Sequence, residues 1–296
     1  MKLHYAHLSR WHYPQIFNTF IEAFADYAVS MSYLTRESLL GRWTKNAVDF
    51  KASVGAFDGP RLVGFTMLGI DDWMGSPAAF DAGTGIVKGY RGFGVAPEMF
   101  ELAVEGLRAR AVPTLLLEVI QTNRPAVRTY RKMGFKVTRE FDCLRLSRDG
   151  ARARSARAGN GVAVEAVGRD LLPVFEGFAD WRPSWETGFR AIARVPDQVR
   201  LYGARSGGAW VGFAAYHPAL NWLMNVSVRP SHRRHGIATA LLQRVVASLP
   251  PDVEPLKLIN VDRSDTGMLS WAGAMGFESY ARQFEMALTV SARGRV

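Results

Sequence analysis

Two short stretches carry the residues with the clearest chemical use. Thr84–Ala96, TGIVKGYRGFGVA, runs from an apolar strand end through a glycine-rich turn into a helix, and Val226–Ala238, VSVRPSHRRHGIA, does the same. Each holds an Arg followed three residues later by Gly and five later by Ala: Arg91, Gly94 and Ala96, then Arg233, Gly236 and Ala238. A helix start offers backbone N–H groups without intrahelical acceptors at the positive end of the helix dipole, a setting that suits phosphate oxygens. Gly92 and Gly94 let the backbone approach a bulky anion, and Arg91 adds a cation. The alternative is a tight strand-to-helix turn whose glycines only relieve crowding.

The second stretch lies 142 residues after the first (91 to 233, 94 to 236), and Gly134-Phe135 recurs at the same interval as Gly276-Phe277. Solenoid repeats recur every ~20–50 residues, so a period this long means two tandem domains. A chain of 296 residues accommodates two domains with a core each. The expected division is residues 1–147, a linker at 148–161 rich in Arg, Ala and Gly without hydrophobic periodicity, and residues 162–296.

Composition bounds the function. An apolar fraction of 48% with 22% charged residues is globular. No apolar run reaches the ~18 residues of a membrane span, and the N-terminal residues lack a signal peptide's apolar core, so a soluble cytoplasmic protein without a membrane partner is expected. The single cysteine, Cys143, sits in an alternating strand pattern and reads as a small hydrophobe. A net charge of +10 would attract nucleic acid or a small polyanion. No zinc spacing or RNA-binding signature is present, so no nucleic-acid partner is expected. His217, His232 and His235 cluster near the second turn without the companions of a metal set, and no metal is expected.

The elements that must position these turns repeat in both halves. Lys2–Leu8 reads as a strand, Tyr13–Phe24 as a helix, and Thr35 as the N-cap of another reaching about Val48. Ala52–Phe57 and Leu62–Gly69 form a hairpin through DGPR, and Phe80–Val87 feeds the first turn. A helix over Pro97–Arg110, a central strand Thr114–Ile120, a helix Asn123–Met133 closed by Gly134, and strands in KVTREFDCLRL follow. The second half repeats the order: a strand in VAVEAV, helices at Asp170–Phe178 and Trp185–Arg194, and Arg200–Ala204 pairing with Val211–Tyr216. Then come Leu223–Val228, the helix Ala238–Leu249, LKLINV, a helix around Met268–Met275 and QFEMALTV. Each half is a mixed α/β unit.

TGIVKGYRGFGVA together with NRPAVRTYRKMGF, Asn123–Phe135, resembles the GNAT superfamily of acetyl-CoA-dependent N-acetyltransferases. That family carries a Q/RxxGxG/A cofactor loop and an NxxAxxxYxKxGF segment, whose positions Asn123, Ala126, Tyr130, Lys132, Gly134 and Phe135 fill here. The resemblance implies two tandem GNAT-like domains, each with a mixed, mostly antiparallel sheet, splayed middle strands and flanking helices. It implies acetyl-CoA and an amine acceptor as partners, in a monomer or homodimer. Acetyl-CoA would lie between Phe80–Val87 and Thr114–Ile120, its pyrophosphate on the N–H groups of Arg91, Gly92, Phe93, Gly94, Val95 and Ala96, with Ile86, Val87 and Asn123 also in contact. In the second half the corresponding set is Val228, Arg233, Arg234, His235, Gly236, Ile237 and Ala238.

Acyl transfer to an amine needs a neutral nucleophile, N–H donors for the oxyanion and a proton for the leaving thiolate. The resemblance gives Ile86 the oxyanion N–H and Tyr130 the role of acid, a phenol of reference pKa ~10 facing a thiol of ~8.5. Glu118 is the candidate base, with Asp81, Asp71 and Asp72 also in reach by sequence and proton loss through water a further route. The second half departs from the pattern, with Asp265, Met268, Ala272 and Ala274 where Asn123, Ala126, Tyr130 and Lys132 stand. Catalysis is therefore expected in the first domain, with a supporting or ligand-binding second domain. Catalysis in the second domain and a non-catalytic acyl-CoA sensor are the alternatives. Trp11, Tyr13, Tyr27, Tyr33 and Trp73 fall in segments that cover the acceptor side in such folds.

Overall fold

The computed structural model describes residues 2–26, 34–147, 162–249 and 255–290. The expected linker, Tyr27 and Tyr33 lie outside the described residues. The chain packs as two compact units, Met1–Thr138 with Phe284–Val296, and Arg139–Gln283. The contiguous division at 147 and 162 therefore does not describe the packing. The closing strand of each sequence half is assigned in part to the other unit, because a strand's partners, not its place in the chain, decide which core it joins. No described helix is long and apolar enough to cross a membrane.

The first unit holds β1 (His4–His7), α1 (Tyr13–Ala23), α2 (Arg36–Lys45), β2 (Val54–Asp58), β3 (Arg61–Trp73), β4 (Ser76–Ile86), α3 (Val95–Ala109), β5 (Thr114–Ile120) and α4 (Arg124–Lys132). Its sheet runs β1-β2-β3-β4-β5, followed by the end of β12 (Glu278–Thr289). The first four strands are antiparallel neighbours and β4 runs parallel to β5. The periodic apolar residues Ile16 and Phe20 of α1 and Trp43 of α2 bury against Phe65 and Met67 on one face. Met99 and Phe100 of α3, with Val127 of α4, bury against Leu115 and Leu117 on the other. Thr35 caps α2 by accepting from the Ser38 N–H at 3.1 Å, as its position predicts. β3 runs on through Trp73, so Asp71 and Asp72 lie within a long hairpin arm and do not end a strand.

The second unit takes β6 (Lys136–Leu146) from Arg139 on, then β7 (Ala163–Ala166), α5 (Leu172–Glu176), α6 (Phe189–Arg194), β8 (Arg200–Ser206), β9 (Ala209–His217) and β10 (Trp222–Val228). It continues with α7 (Ile237–Val246), β11 (Leu256–Asp262), α8 (Thr266–Ala274) and the start of β12. Strand order is β6-β11-β10-β9-β8-β7, with β10 parallel to β11. Two helices are shorter than their apolar spacing predicts. α5 stops at Gly177, and α6 starts only at Phe189 because Gly188 takes an extended conformation at its N-cap. KVTREFDCLRL forms one continuous strand, with Cys143 buried on it at 2% exposure.

One irregularity is shared. On β4, Ala82 and Gly83 together oppose Met67, between the pairs Thr66–Thr84 and Leu68–Asp81. On β10 the register slips at Met224, between the pairs Leu223–Tyr216 and Asn225–Ala215. The two β-bulges fall 142 residues apart (82 to 224), and bulges of this kind bend a strand and interrupt its pairing.

Candidate active site

The bulge sets where the middle strands part. Pairing of β4 with β5 runs from Ala78–Thr114 to Asp81–Leu117, and no further pair follows. Beyond it, Ala82–Ile86 and Glu118–Ile120 diverge. In an antiparallel ladder, residues alternate between exchanging hydrogen bonds with the partner strand and pointing their N–H and C=O away. Val87 N donates to Val63 O at 3.0 Å, so the preceding pair, Gly64–Ile86, is of the second kind. The N–H of Ile86 thus faces the open side of β4. Arg229 N donates to Val211 O at 2.9 Å, which puts the Val228 N–H on the open side of β10 by the same rule.

Each open edge leads into a helix whose N-cap glycine is left-handed: Gly94 with φ 81° before α3 and Gly236 with φ 78° before α7. A Cβ at either position would meet nothing within 4 Å, so the turn's exposed side is clear and the positive φ alone demands glycine. Gly92 (φ 84°) precedes Gly94 in the same region, whereas its counterpart is Arg234 with φ 64°. The first-turn N–H groups from Val95 and from Ile237 onward have no intrahelical acceptors. This arrangement can hold a diphosphate.

The guanidinium of Arg91, expected as a cation beside the turn, and that of Arg233 are each held by neighbouring groups. Arg91 Nε donates to Ile86 O at 2.9 Å, Nη2 to Ala23 O at 2.7 Å, and both Nη groups to Asp26. Arg233 repeats the set, with Nε to Val228 O at 3.1 Å, Nη2 to Phe178 O at 3.1 Å and Nη1 to Asp180. Their own N–H groups donate to Lys88 O and Pro230 O. Each guanidinium ties the open strand edge to the end of the facing helical segment and so shapes the turn. Carbonyls and a carboxylate already satisfy the fork, and the hydrogen bond from Arg91 holds the Asp26 carboxyl below its usual range. Asn123 likewise caps α4 by accepting from Ala126 N at 3.3 Å, and Asp265 caps α8 by accepting from Met268 N at 2.9 Å.

Tyr130 lies half-buried on α4, its ring edge-on to Phe100 at 5.8 Å and to Phe135 at 5.7 Å. These contacts fix the ring against the core that also holds α3 and β5. Glu118 is half-buried on β5, one residue past the last pair. Asp81 sits at the parting itself, 7% exposed, and does not begin its strand. It accepts from Gly83 N at 2.9 Å and from Thr84 Oγ1 at 2.7 Å, and burial pushes its pKa up to about 6 despite these bonds. Sequence spacing places Asp81 near the strand but cannot reveal that the bulge buries it.

In the second unit the parting opens into a cavity of about 670 Å³, lined by β10, β11, the Arg233–Ala238 turn and α8. Such a volume suits a cofactor-sized ligand. Trp271 lines it and donates from Nε1 to Thr239 Oγ1 at 3.3 Å, while Ala272, at the place of Tyr130, is fully buried. Of the three histidines noted near the second turn, His232 and His235 lie at it, and His217 is buried at the end of β9.

The sequence model of the acetyltransferase (GNAT) family matches residues 13–135 and again 165–277. The chain belongs to the GNAT family. No curated protein matches it. Among solved structures, a tandem GNAT protein from the clavulanic acid biosynthesis pathway superposes with a TM-score of 0.73 at 18% identity, over 98% of this chain and 99% of that one. A GCN5-related N-acetyltransferase from Sphaerobacter thermophilus gives 0.71 at 16% identity, over 97% and 96% of the two chains. A putative acetyltransferase from Pyrococcus horikoshii gives 0.68 at 16% identity, over 99% and 92%. At these identities the likeness is one of fold: two GNAT units in a single chain.

GNAT proteins in general use acyl-CoA for N-acyl transfer, and the residues present fit that co-substrate. The open N–H groups of Ile86 and Val228, and the unobstructed helix starts after Gly94 and Gly236, give each unit a binding edge and an anion seat. Only the first unit adds a tyrosine at the family's position on the following helix. Of the expected acceptor-side aromatics, Trp11 is 92% exposed, whereas Tyr13 packs edge-on against Trp43 and donates to Arg36 O.

Proposed function

We propose that the chain transfers an acetyl group from acetyl-CoA to a primary amine by direct attack within a ternary complex, and that the first unit performs the chemistry in the cytoplasm. The amine nitrogen attacks the thioester carbonyl carbon, and the Ile86 N–H, facing the parting, stabilises the oxyanion. As the C–S bond breaks, Tyr130 gives its proton to the thiolate, and Asp81, directly or through water, accepts the proton lost by the amine. Asp81 takes precedence over Glu118 as base because burial raises its pKa toward the working range of a general base. The observation that carries the reading is the conjunction in one unit of an open β4 edge, a left-handed glycine start to α3 and a tyrosine packed on α4. Neither half of the reading stands on Arg91, whose role is to shape the turn.

The experiment is thiol release from acetyl-CoA over a panel of primary amines, with wild type, Tyr130→Phe, Gly94→Trp and Gly236→Trp. The reading expects turnover in wild type and in Gly236→Trp and its loss in the other two. The 670 Å³ cavity favours a second reading, in which acyl transfer runs in the second unit without a tyrosine. Loss of turnover in Gly236→Trp alone selects that reading.

A further inference from the structure

The second unit's cavity contains polar groups that neither the fold nor acyl-CoA binding along a strand edge requires. Asn225 and Ser227 both line it, are 8% and 7% exposed, and present a buried Oδ1 and a buried Oγ without hydrogen-bond partners. An unpaired buried polar atom costs stability, so two on one strand face are unusual in a ligand-free fold. They stand at alternate positions of β10, opposite Ala215 and Phe213, which belong to the core beneath α5 and α6. Val226 and Val228 point to the other side, toward α7. The pair therefore faces the side of the sheet under α5 and α6, while Gly236 opens the start of α7.

We propose that Asn225 and Ser227 form a binding site for a neutral secondary amide. Alternate residues of a strand stand roughly 6.7 Å apart. A trans amide, with N–H and C=O pointing in opposite directions, can donate to Asn225 Oδ1 and accept from the Ser227 hydroxyl across that span. A charged amine is a poor occupant. Two of the three carboxylates described in the lining are ion-paired, Asp180 with Arg233 and Asp262 with Arg139 at 3.6 Å, and the third, Asp265, accepts from the α8 N-terminus. A buried ammonium would lose its water, and of the three lining carboxylates only Asp265, which caps α8, is not ion-paired. The site thus prefers an N-acylated amine to the free amine. That this amide is the chain's own product rests on the proposed function; the alternative source of the same group is the pantetheine arm of CoA.

Isothermal titration of the full chain with N-acetylbenzylamine, benzylamine and pantetheine tests the site, in wild type, Ser227→Ala and Asn225→Leu. The expected result is saturable binding of N-acetylbenzylamine at least tenfold tighter than benzylamine, weakened about tenfold by either variant, each of which also melts higher than wild type without ligand. Pantetheine binding lost in the same variants supports the amide site and assigns it to the carrier arm. The proposal is overturned by equal affinity for amine and amide, by amide affinity unchanged in both variants, or by failure of both amides to bind. Turnover with Tyr130→Phe is measured separately, so a failed catalytic reading leaves this result interpretable.

Discussion

Replacing Asp81 by Asn should raise stability and lower activity together. The carboxyl is buried with its pKa raised from 3.8 to about 6, burial being the main cause and the bonds from Thr84, Gly83 and Thr66 opposing it. A folded-state pKa above the unfolded one means the folded state binds the proton more tightly. Stability from this group is full below about pH 4, falls as pH rises through the window from 3.8 to about 6, and stays reduced above it. A shift of about 2 units at 1.36 kcal/mol each sets the cost of ionised Asp81 near 3 kcal/mol at pH 7.5, to order of magnitude. An amide at this place keeps the bonds with Gly83 and Thr84, Oδ1 accepting from Gly83 N and Nδ2 donating to Thr84 Oγ1, and has no charge to desolvate.

Asp81→Asn is therefore expected to stabilise the first unit by up to about 3 kcal/mol at pH 7.5 and by almost nothing at pH 4. Urea titrations at the two pH values, with amide exchange in β3 and β4 reporting on this unit, measure the difference. In the same variant kcat/KM should fall by roughly 10²–10⁴, the range of a lost general base. A variant less stable than wild type at pH 7.5, or a stability difference independent of pH, refutes the argument that a buried carboxylate is being held ionised. Gain of stability with full turnover refutes only its role as base.

Tyr130→Phe keeps the ring contacts with Phe100 and Phe135, so melting should be unchanged while kcat drops by roughly 10²–10⁴. Arg91→Lys keeps the charge but not the fork to Asp26, Ala23 O and Ile86 O; KM for acetyl-CoA should rise by about tenfold, more than kcat falls, and unit 1 should melt lower. Arg234→Gly removes a side chain from a left-handed position (φ 64°), so the second unit should gain at most about 1 kcal/mol in a urea titration.

The two turns were legible because their chemistry is local. Gly94 and Gly236 must be glycine by dihedral angle, Thr35 and Asn123 are caps by position, and the apolar spacing of α3 and the run at Thr114–Ile120 identify their elements. Their recurrence at one interval exposed the duplication. What depends on partners distant in sequence was not legible. The guanidinium of Arg91 meets Asp26, 65 residues away, and that pairing makes it a clamp across the turn. Asp81 looks like a strand-end carboxylate until the bulge at Ala82 buries it against Thr66 and Thr84. The closing strands read correctly as strands, but no periodicity says which core takes Phe284 onward.

The two units share a backbone design and differ in the side chains placed on it. The clamp made by Arg91 and by Arg233, the bulge at Ala82 and at Met224, and the glycine start of the next helix are geometrically repeated. All three act on the backbone: they bend a strand, free its edge and open a helix start, features that fit an anion and an amide-bearing arm. The side chains then diverge in kind. The first unit places an ionisable tyrosine and a carboxyl with a pKa of about 6 around its parting, groups suited to moving protons. The second replaces them with Ala272 and Leu223 and lines its cavity with Asn225 and Ser227, neither of which titrates near neutral pH. On the proposed function, the first unit moves protons and the second binds a ligand beside it.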